Sequence, residues 1–134
     1  MTSLLKIEGI GPVFMDKLKA AGIASVEMLL KEGASPAGRK TIEEQSGIDH
    51  SKVLEWVNHA DLFRVKGVGE EYSDLLEEAG VDTVVELAQR KPENLLAKMA
   101  EINEQKKLVR RLPVLSQVES WVAQAKELPR IVTY

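Results

Sequence analysis

The chain has 134 residues, of which 44 % are hydrophobic and 29 % charged, and its formal net charge is −3 at pH 7. This size and composition are typical of one ordinary globular domain. The absence of cysteine excludes a disulfide framework, a thiolate zinc site and a cysteine nucleophile, and the net acidity does not favour a nucleic-acid binder.

The sequence contains no feature that predicts export or membrane insertion. No basic segment followed by an apolar one opens the chain, and its purely apolar stretches are only a few residues long. We therefore expect a cytoplasmic protein with no membrane partner. Because few residues are aromatic, the core must be mostly aliphatic, which suits helix-on-helix packing.

The first predicted element, in IEGIGPVFMDKLKAAGI, is a tight turn followed by a helix. Glycine at the two ends of the triplet Gly9, Ile10 and Gly11 supplies the positive φ that a tight turn requires, and the isoleucine between them is placed to point into the core. Pro12 suits the first position of the next helix, and Gly22 suits the C-terminal stop of that helix.

Residues 41–61 predict a helix, a turn at residues 46–49 and a second helix, because apolar residues recur with a period of about 3.6. This second helix carries Trp56, which we interpret as a core anchor. It also carries both histidines near its two ends. His50 and His59 lie nine positions apart, a spacing that does not place both on one metal, and His50 is predicted to be a surface residue.

The segment VKGVGEEYSDLLEEAGVDTVVELA repeats the first element at an offset of 58 positions, and SQVESWVAQA repeats SKVLEWVNHA at an offset of 65. The matched pairs include Gly9 with Gly67, Gly11 with Gly69 and Trp56 with Trp121. Two matched turns and two matched tryptophans argue against chance. The sequence therefore predicts an internal duplication, with one unit at residues 1–63 and another at residues 64–134, in one compact domain.

Further helix boundaries follow from capping residues and prolines. Ser25 and Thr83 precede apolar stretches and are predicted N-caps. Pro36 and Pro92 are expected to open helices, and Pro113 to break a long helical stretch so that a new helix starts after it. Nothing alternates with a period of two over a useful length, so the predicted fold class is all-α.

Most of these segments resemble a bacterial family described as a helix-hairpin-helix domain of unknown function (number 4332), with WVNHADL followed by KGVGEEY as the specific signature. The resemblance covers nearly the whole chain and implies tandem helix-hairpin-helix units packed as one compact helical domain. The broader helix-hairpin-helix class mostly binds DNA without reading sequence, because hairpin backbone N–H groups face a phosphate at a helix start. By this resemblance, the candidate phosphate cradles are Gly9, Gly11, Gly67 and Gly69, and Ile10 is a further candidate nucleic-acid-binding residue.

Lysines surround the first hairpin and support this implication. Lys6 precedes it, and Lys17 and Lys19 follow it, so they can add a salt-dependent attraction to phosphate. Nearby acids offset part of the charge, and Pro12 lacks one N–H donor.

The second hairpin is acidic. Residues 70–86 contain seven acids and no lysine or arginine. Carboxylates in a first helical turn interact with the helix dipole themselves and repel an approaching phosphate. Tyr72, in that first turn, either contacts a ligand or packs against the hairpin.

The main basic segment is residues 90–111, with seven basic and three acidic side chains. Three interpretations are open: a phosphate-facing edge, a dock for the acidic second hairpin, and a solvated helix face with local ion pairs. Its candidate nucleic-acid contacts are Lys106, Lys107, Arg110 and Arg111.

No catalytic motif is present, so we predict a non-enzymatic protein without a cofactor or metal. The leading hypothesis is a module that binds the DNA or RNA backbone without sequence specificity, through the hairpin amides and the basic face. The alternative is a protein-interaction adaptor that uses its segregated acidic and basic faces to bind a partner or another copy of itself. The apolar tail, residues 129–134, docks either on the body or on a partner.

Overall fold

The computed structural model describes residues 1–134 and is all-helical, with eight α-helices and no strands. A short 3-10 turn at Leu4–Lys6 precedes the first α-helix. The α-helices are α1 (Pro12–Ala20), α2 (Val26–Glu32), α3 (Pro36–Ser46), α4 (His50–Leu62), α5 (Glu70–Glu78), α6 (Val84–Ala88), α7 (Pro92–Lys106) and α8 (Leu115–Glu127). This confirms the all-α prediction.

Helix starts follow the predicted capping pattern. Pro12, Pro36 and Pro92 occupy first helical positions, where the N–H that proline lacks would have had no partner within the helix. Ser25 caps α2, because its hydroxyl accepts a hydrogen bond from the first helical turn at 3.1 Å. Thr83 occupies the N-cap position of α6 as predicted, but its side chain makes no capping hydrogen bond.

Glycines with positive φ lie at the ends of three helices. Gly22 (φ 86°), Gly47 (φ 72°) and Gly80 (φ 93°) follow α1, α3 and α5. The left-handed conformation turns the chain away from the helix axis, and glycine adopts it without a Cβ penalty. The prediction that Gly22 stops the first helix is confirmed.

The segment that joins α7 to α8 departs in one respect from the sequence prediction. A new helix starts after Pro113, as predicted, but α7 ends at Lys106, well before that proline. The cause is Lys107, which adopts the left-handed conformation with φ 51°. After it, the Asn103 side chain accepts a hydrogen bond from the Val109 N–H at 2.9 Å, so this N–H is satisfied although the helix has ended.

The chain divides into two compact units, the first formed by Met1–Asp61 with Ile131–Tyr134 and the second by Leu62–Arg130. In the first unit, α1 and α2 pack against α3. In the second, α8 packs against α6 and α7, around a core of buried aliphatic side chains and one tryptophan. The sequence-based division after residue 63 assigned the apolar tail to the second unit. That the two units form one compact domain stays a prediction.

Both tryptophans are core residues, as the sequence predicted. Trp56 and Trp121 are each 2 % exposed. The Trp56 ring lies against Phe14, with ring centroids 5.1 Å apart, and the Trp121 ring lies against Tyr72 at the same distance. Each tryptophan therefore anchors the first turn of a helix that follows a Gly-apolar-Gly triplet.

Candidate nucleic-acid interface

The first glycine turn, residues 7–11, folds back through one backbone hydrogen bond. The Ile10 N–H donates to the Ile7 carbonyl at 3.1 Å, and both side chains are buried. Gly9 has φ 94°, so the positive φ predicted for this turn is present there. Gly11, in contrast, is extended (φ −95°) and is the N-cap of α1, so the prediction of a positive φ is wrong for this glycine.

Gly9 is required for space as well as for conformation. A Cβ at this position would stand 3.2 Å from Nε1 of Trp56. A side chain would therefore press on a buried indole while also being held in the left-handed region.

The second glycine turn, residues 65–69, has the same geometry. The Val68 N–H donates to the Val65 carbonyl at 3.1 Å, and Gly67 has φ 94°. A Cβ on Gly67 would lie 3.0 Å from Nε1 of Trp121. Gly69 is extended (φ −114°) and is the N-cap of α5, so the prediction of a positive φ is wrong at this position too.

Both turns leave a helix N-terminus without a side-chain cap. The N-cap residues of α1 and α5 are glycines, which have no side chain to accept the first-turn N–H groups. These donors, together with the positive end of the helix dipole, form an electrostatic environment that suits an anion. Pro12 removes one donor from α1, whereas α5 begins with Glu70 and keeps that donor.

The lysines predicted beside the first glycine turn are all exposed, namely Lys6, Lys17 and Lys19. The Nζ of Lys17 lies 5.7 Å from the centroid of the Phe14 ring. The Nζ of Lys52 lies at the same distance from that centroid. The structure therefore brings two cations to one aromatic ring in the first turn of α1.

Lys52 was missed from the sequence, because it belongs to a different helix from the turn. A signal was present, since Lys52 stands four residues before Trp56 on α4, and residues four apart share a helix face. That spacing points to the glycine turn only once Trp56 is known to pack against Phe14.

The second glycine turn borders an open cleft of about 470 Å³. The residues that line it are Gly67, Gly69, Glu70, Glu71, Tyr72, Arg110 and Arg111. The Tyr72 hydroxyl donates to the Arg111 carbonyl at 3.0 Å, and this bond connects the basic segment to α5. The structure thus brings together two glycines and two arginines that the sequence had placed about 40 positions apart.

Lys106 and Lys107, the other two candidate contacts of the basic segment at residues 90–111, have different surroundings. The Nζ of Lys106 lies 2.5 Å from Oε2 of Glu78, so this lysine pairs with the acidic α5. Lys107 is exposed at the left-handed end of α7. At one end the segment therefore pairs with the acidic α5, in agreement with one of the predicted interpretations, and at the other end Arg110 and Arg111 line the cleft.

Acidic side chains also border this cleft. Glu70 and Glu71 stand in the first turn of α5, where their carboxylates compete with any external anion for the same N–H groups. The two arginines partly offset this negative charge. The second turn is consequently a mixed-charge site. The first turn has exposed lysines and a half-buried phenylalanine beside it, and it contains one acid, Glu8.

The two histidines lie in different environments. His50 is exposed, as predicted, and its Nδ1 lies 2.8 Å from Oε2 of Glu43. His59 is buried, with 1 % of its surface exposed.

None of the eight helices combines the length and apolar character needed to cross a membrane. Comparison with curated proteins and with solved structures finds no match to this chain. A family model described as Domain of unknown function (DUF4332) matches residues 8–128. Because that match covers most of the chain, the protein belongs to the DUF4332 family.

Proposed function

We propose that the chain is a non-catalytic module that binds the nucleic-acid backbone without sequence specificity, and that its two units are copies of one helix-hairpin-helix element. In this proposal each glycine turn is a hairpin that receives one phosphate at the N-terminus of the following helix. The proposal assigns recognition to backbone amides and basic side chains, which contact phosphates and do not distinguish bases.

Matching local geometry supports the duplication. Gly9 and Gly67 have the same φ, and each lies against a tryptophan indole of its own unit. The same hydrogen bond closes each turn. After the following helix, the Ile23 N–H donates to the Leu18 carbonyl at 2.8 Å, and the equivalent bond in the second unit measures 2.9 Å. The last bond recurs at many helix ends that have a left-handed glycine, so the shared turn geometry and the tryptophan contacts are the stronger support.

The observation that carries the binding proposal is the cleft at the second glycine turn. Arg110 and Arg111 line the same cleft as Gly67 and Gly69. A phosphate in this cleft would lie near the N-terminal amide donors of α5 and near two arginines, and arginine recognises phosphate with paired donors. The first glycine turn supports the proposal independently, through Lys17 and Lys52.

The charges predict the character of the binding. The net charge of −3 and the carboxylates beside the second turn oppose approach of a polyanion. We therefore expect micromolar affinity at low salt that falls steeply as salt rises, because neutralised phosphates release counterions. Duplexes of unrelated sequence should bind equally well.

Fluorescence anisotropy with labelled double- and single-stranded DNA and RNA, titrated with salt, tests the proposal. The Lys17→Glu and Arg110→Glu/Arg111→Glu variants should both weaken binding, and each lost phosphate contact should reduce the salt slope by about 1. Lys98→Glu, a single exposed charge reversal on α7 at none of the candidate contacts, is the matched control for Lys17→Glu and should have a smaller effect. Absence of binding at low salt, where phosphate attraction is strongest, would contradict the proposal.

Exposed aliphatic residues favour a protein-interaction adaptor as the second candidate function. Val13 in the first turn of α1 is 67 % exposed, and Leu5 is 43 % exposed. Aliphatic side chains contribute to protein interfaces through burial and add little to phosphate binding. Val13→Asp should therefore abolish capture of a protein partner, whereas it should weaken nucleic-acid binding only through its added negative charge.

A further inference from the structure

Arg39, on α3, is a buried cation with unusual partners. It is 3 % exposed, and its Nη1 donates to the carbonyls of Gly33 at 2.9 Å and Ala34 at 3.1 Å. Its Nη2 donates to the carbonyl of Thr133 at 2.7 Å, and its Nε has no hydrogen-bond partner. Burial of a guanidinium costs free energy unless its donors are satisfied, so the contact with Thr133 matters to this site.

The remaining contacts of residues 131–134, the last four residues of the apolar tail, are equally specific. The Thr133 N–H donates to the Ala34 carbonyl at 2.8 Å, and Val132 is buried. The Tyr134 hydroxyl donates to Oδ1 of Asn58 at 3.0 Å, and the tyrosine ring lies 5.6 Å from Cζ of Arg39.

These contacts have the form of peptide recognition. Main-chain hydrogen bonds hold a short non-helical segment, the Val132 side chain is buried, and the largely exposed Tyr134 ring lies beside Arg39. Arg39 and Thr133 lie 94 positions apart in the chain, and none of these bonds depends on the covalent connection between the partners.

We propose that the surface formed by Ala34, Arg39 and Asn58 is a peptide-docking site, that residues 131–134 occupy it within one chain, and that the same residues of a second copy occupy it between chains. Every copy carries a ligand that the structure shows to fit the site. Exchange of identical segments keeps every contact and costs only the entropy of association. Tethering gives the chain's own tail a high effective concentration, so exchange rises with protein concentration.

A labelled synthetic peptide tests whether the site accepts a segment in trans. The peptide LPRIVTY, capped at both ends, is titrated by anisotropy into the full chain carrying Thr133→Pro and Tyr134→Ala, whose own tail is weakened. The peptide should bind this variant and should bind the native chain more weakly, because the native tail competes. Circular dichroism and thermal unfolding show whether the variant is folded, and Tyr134→Ala alone is the milder alternative.

Changes in the peptide keep the test independent of protein folding. Phenylalanine in place of the peptide tyrosine removes the bond to Asn58, and we expect about fivefold weaker binding. On a host that also carries Asn58→Ala, the two peptides should bind equally. The proposal would be overturned if a folded host bound no peptide, or if the two peptides bound equally well to the host that retains Asn58.

Sedimentation of the native chain over a wide concentration range tests the second copy as occupant. A dimer should accumulate with concentration for the native chain and should be absent for the Thr133→Pro/Tyr134→Ala variant. A native chain that stays monomeric at millimolar concentration, or a variant that dimerises equally, would overturn the exchange between copies.

Discussion

Gly67 and Gly69 stand two positions apart in the second glycine turn, and we expect different consequences when each is replaced by serine. Gly67→Ser forces a side chain into the left-handed region and against Trp121, so it should lower the free energy of unfolding by about 2 kcal/mol. Gly69→Ser is the matched control, because this position is extended and open.

Serine at position 69 is also a good N-cap, so this variant should be as stable as the native chain or slightly more stable. Urea unfolding measures both variants. The serine hydroxyl would accept the first-turn N–H groups of α5, so the proposed phosphate binding at the second turn should weaken. Equal destabilisation by the two substitutions would contradict this assignment of the glycines.

Asp49 gives a pH-dependent prediction at a single residue. Hydrogen bonds from the Ser51 hydroxyl, and then from its backbone N–H, hold the pKa of Asp49 below its ordinary value of 3.8. Its contribution to stability is therefore present above pH 3.8 and is lost as the pH falls through the lowered pKa. Ser51→Ala should raise this pKa, as measured by NMR titration of the carboxyl carbon.

Ser116→Ala, which removes the exposed serine at the matching position of the second unit, is the control and should leave the Asp49 titration unchanged. If Ser51→Ala has no effect either, the hydroxyl does not set the pKa of Asp49.

Residue type predicted the two glycine turns, whereas the separate role of each glycine depends on residues that are distant in the sequence. Gly-apolar-Gly predicted both turns and the burial of Ile10, because local backbone geometry follows from residue type. It did not distinguish Gly9 from Gly11, because the requirement for space at position 9 comes from Trp56, which lies 47 positions away.

At the scale of elements, the end of α7 is a strained point that a substitution can relieve. Lys107 adopts the left-handed conformation, which costs a non-glycine residue about 1 kcal/mol or more. We expect Lys107→Gly to raise the free energy of unfolding by about 1 kcal/mol, because glycine adopts this conformation freely. Thermal unfolding measures the change.

Lys106→Gly, one residue earlier, is the matched control. It lies in the last position of α7, where glycine is less favourable than lysine, so it should lower stability. Loss of the exposed pair with Glu78 should add little to this effect. Stabilisation by both substitutions would show that the gain is unrelated to the left-handed position.

The sequence predicted helix starts better than helix ends, and α7 shows the reason. Pro92 signals a start through its own covalent geometry. The stop at Lys107 carries no such signal, because it depends on Asn103 bonding the backbone of Val109 after the turn has formed. The position of Arg111 beside Tyr72 could not be predicted from the sequence for the same reason, because this contact forms only when the second unit folds.

At the scale of the whole molecule, the first unit includes both ends of the described chain. Residues 131–134 lie with Met1–Asp61, and the bond between Thr133 and Ala34 joins positions 99 apart. Composition predicted that this apolar tail would dock, but not where. Its position depends on a buried arginine, and a sequence gives no general reason to expect an arginine in a core.

Arg39→Met therefore tests how the chain end is held. The variant keeps much of the buried volume but leaves the carbonyls of Gly33, Ala34 and Thr133 without their donor, so we expect the free energy of unfolding to fall by about 2 kcal/mol. Hydrogen exchange at the Thr133 amide should accelerate, because the tail opens more often. Lys40→Met, exposed on the same helix, is the control. Unchanged exchange at Thr133 in Arg39→Met would mean that Val132 and the bond to Ala34 hold the tail without the arginine.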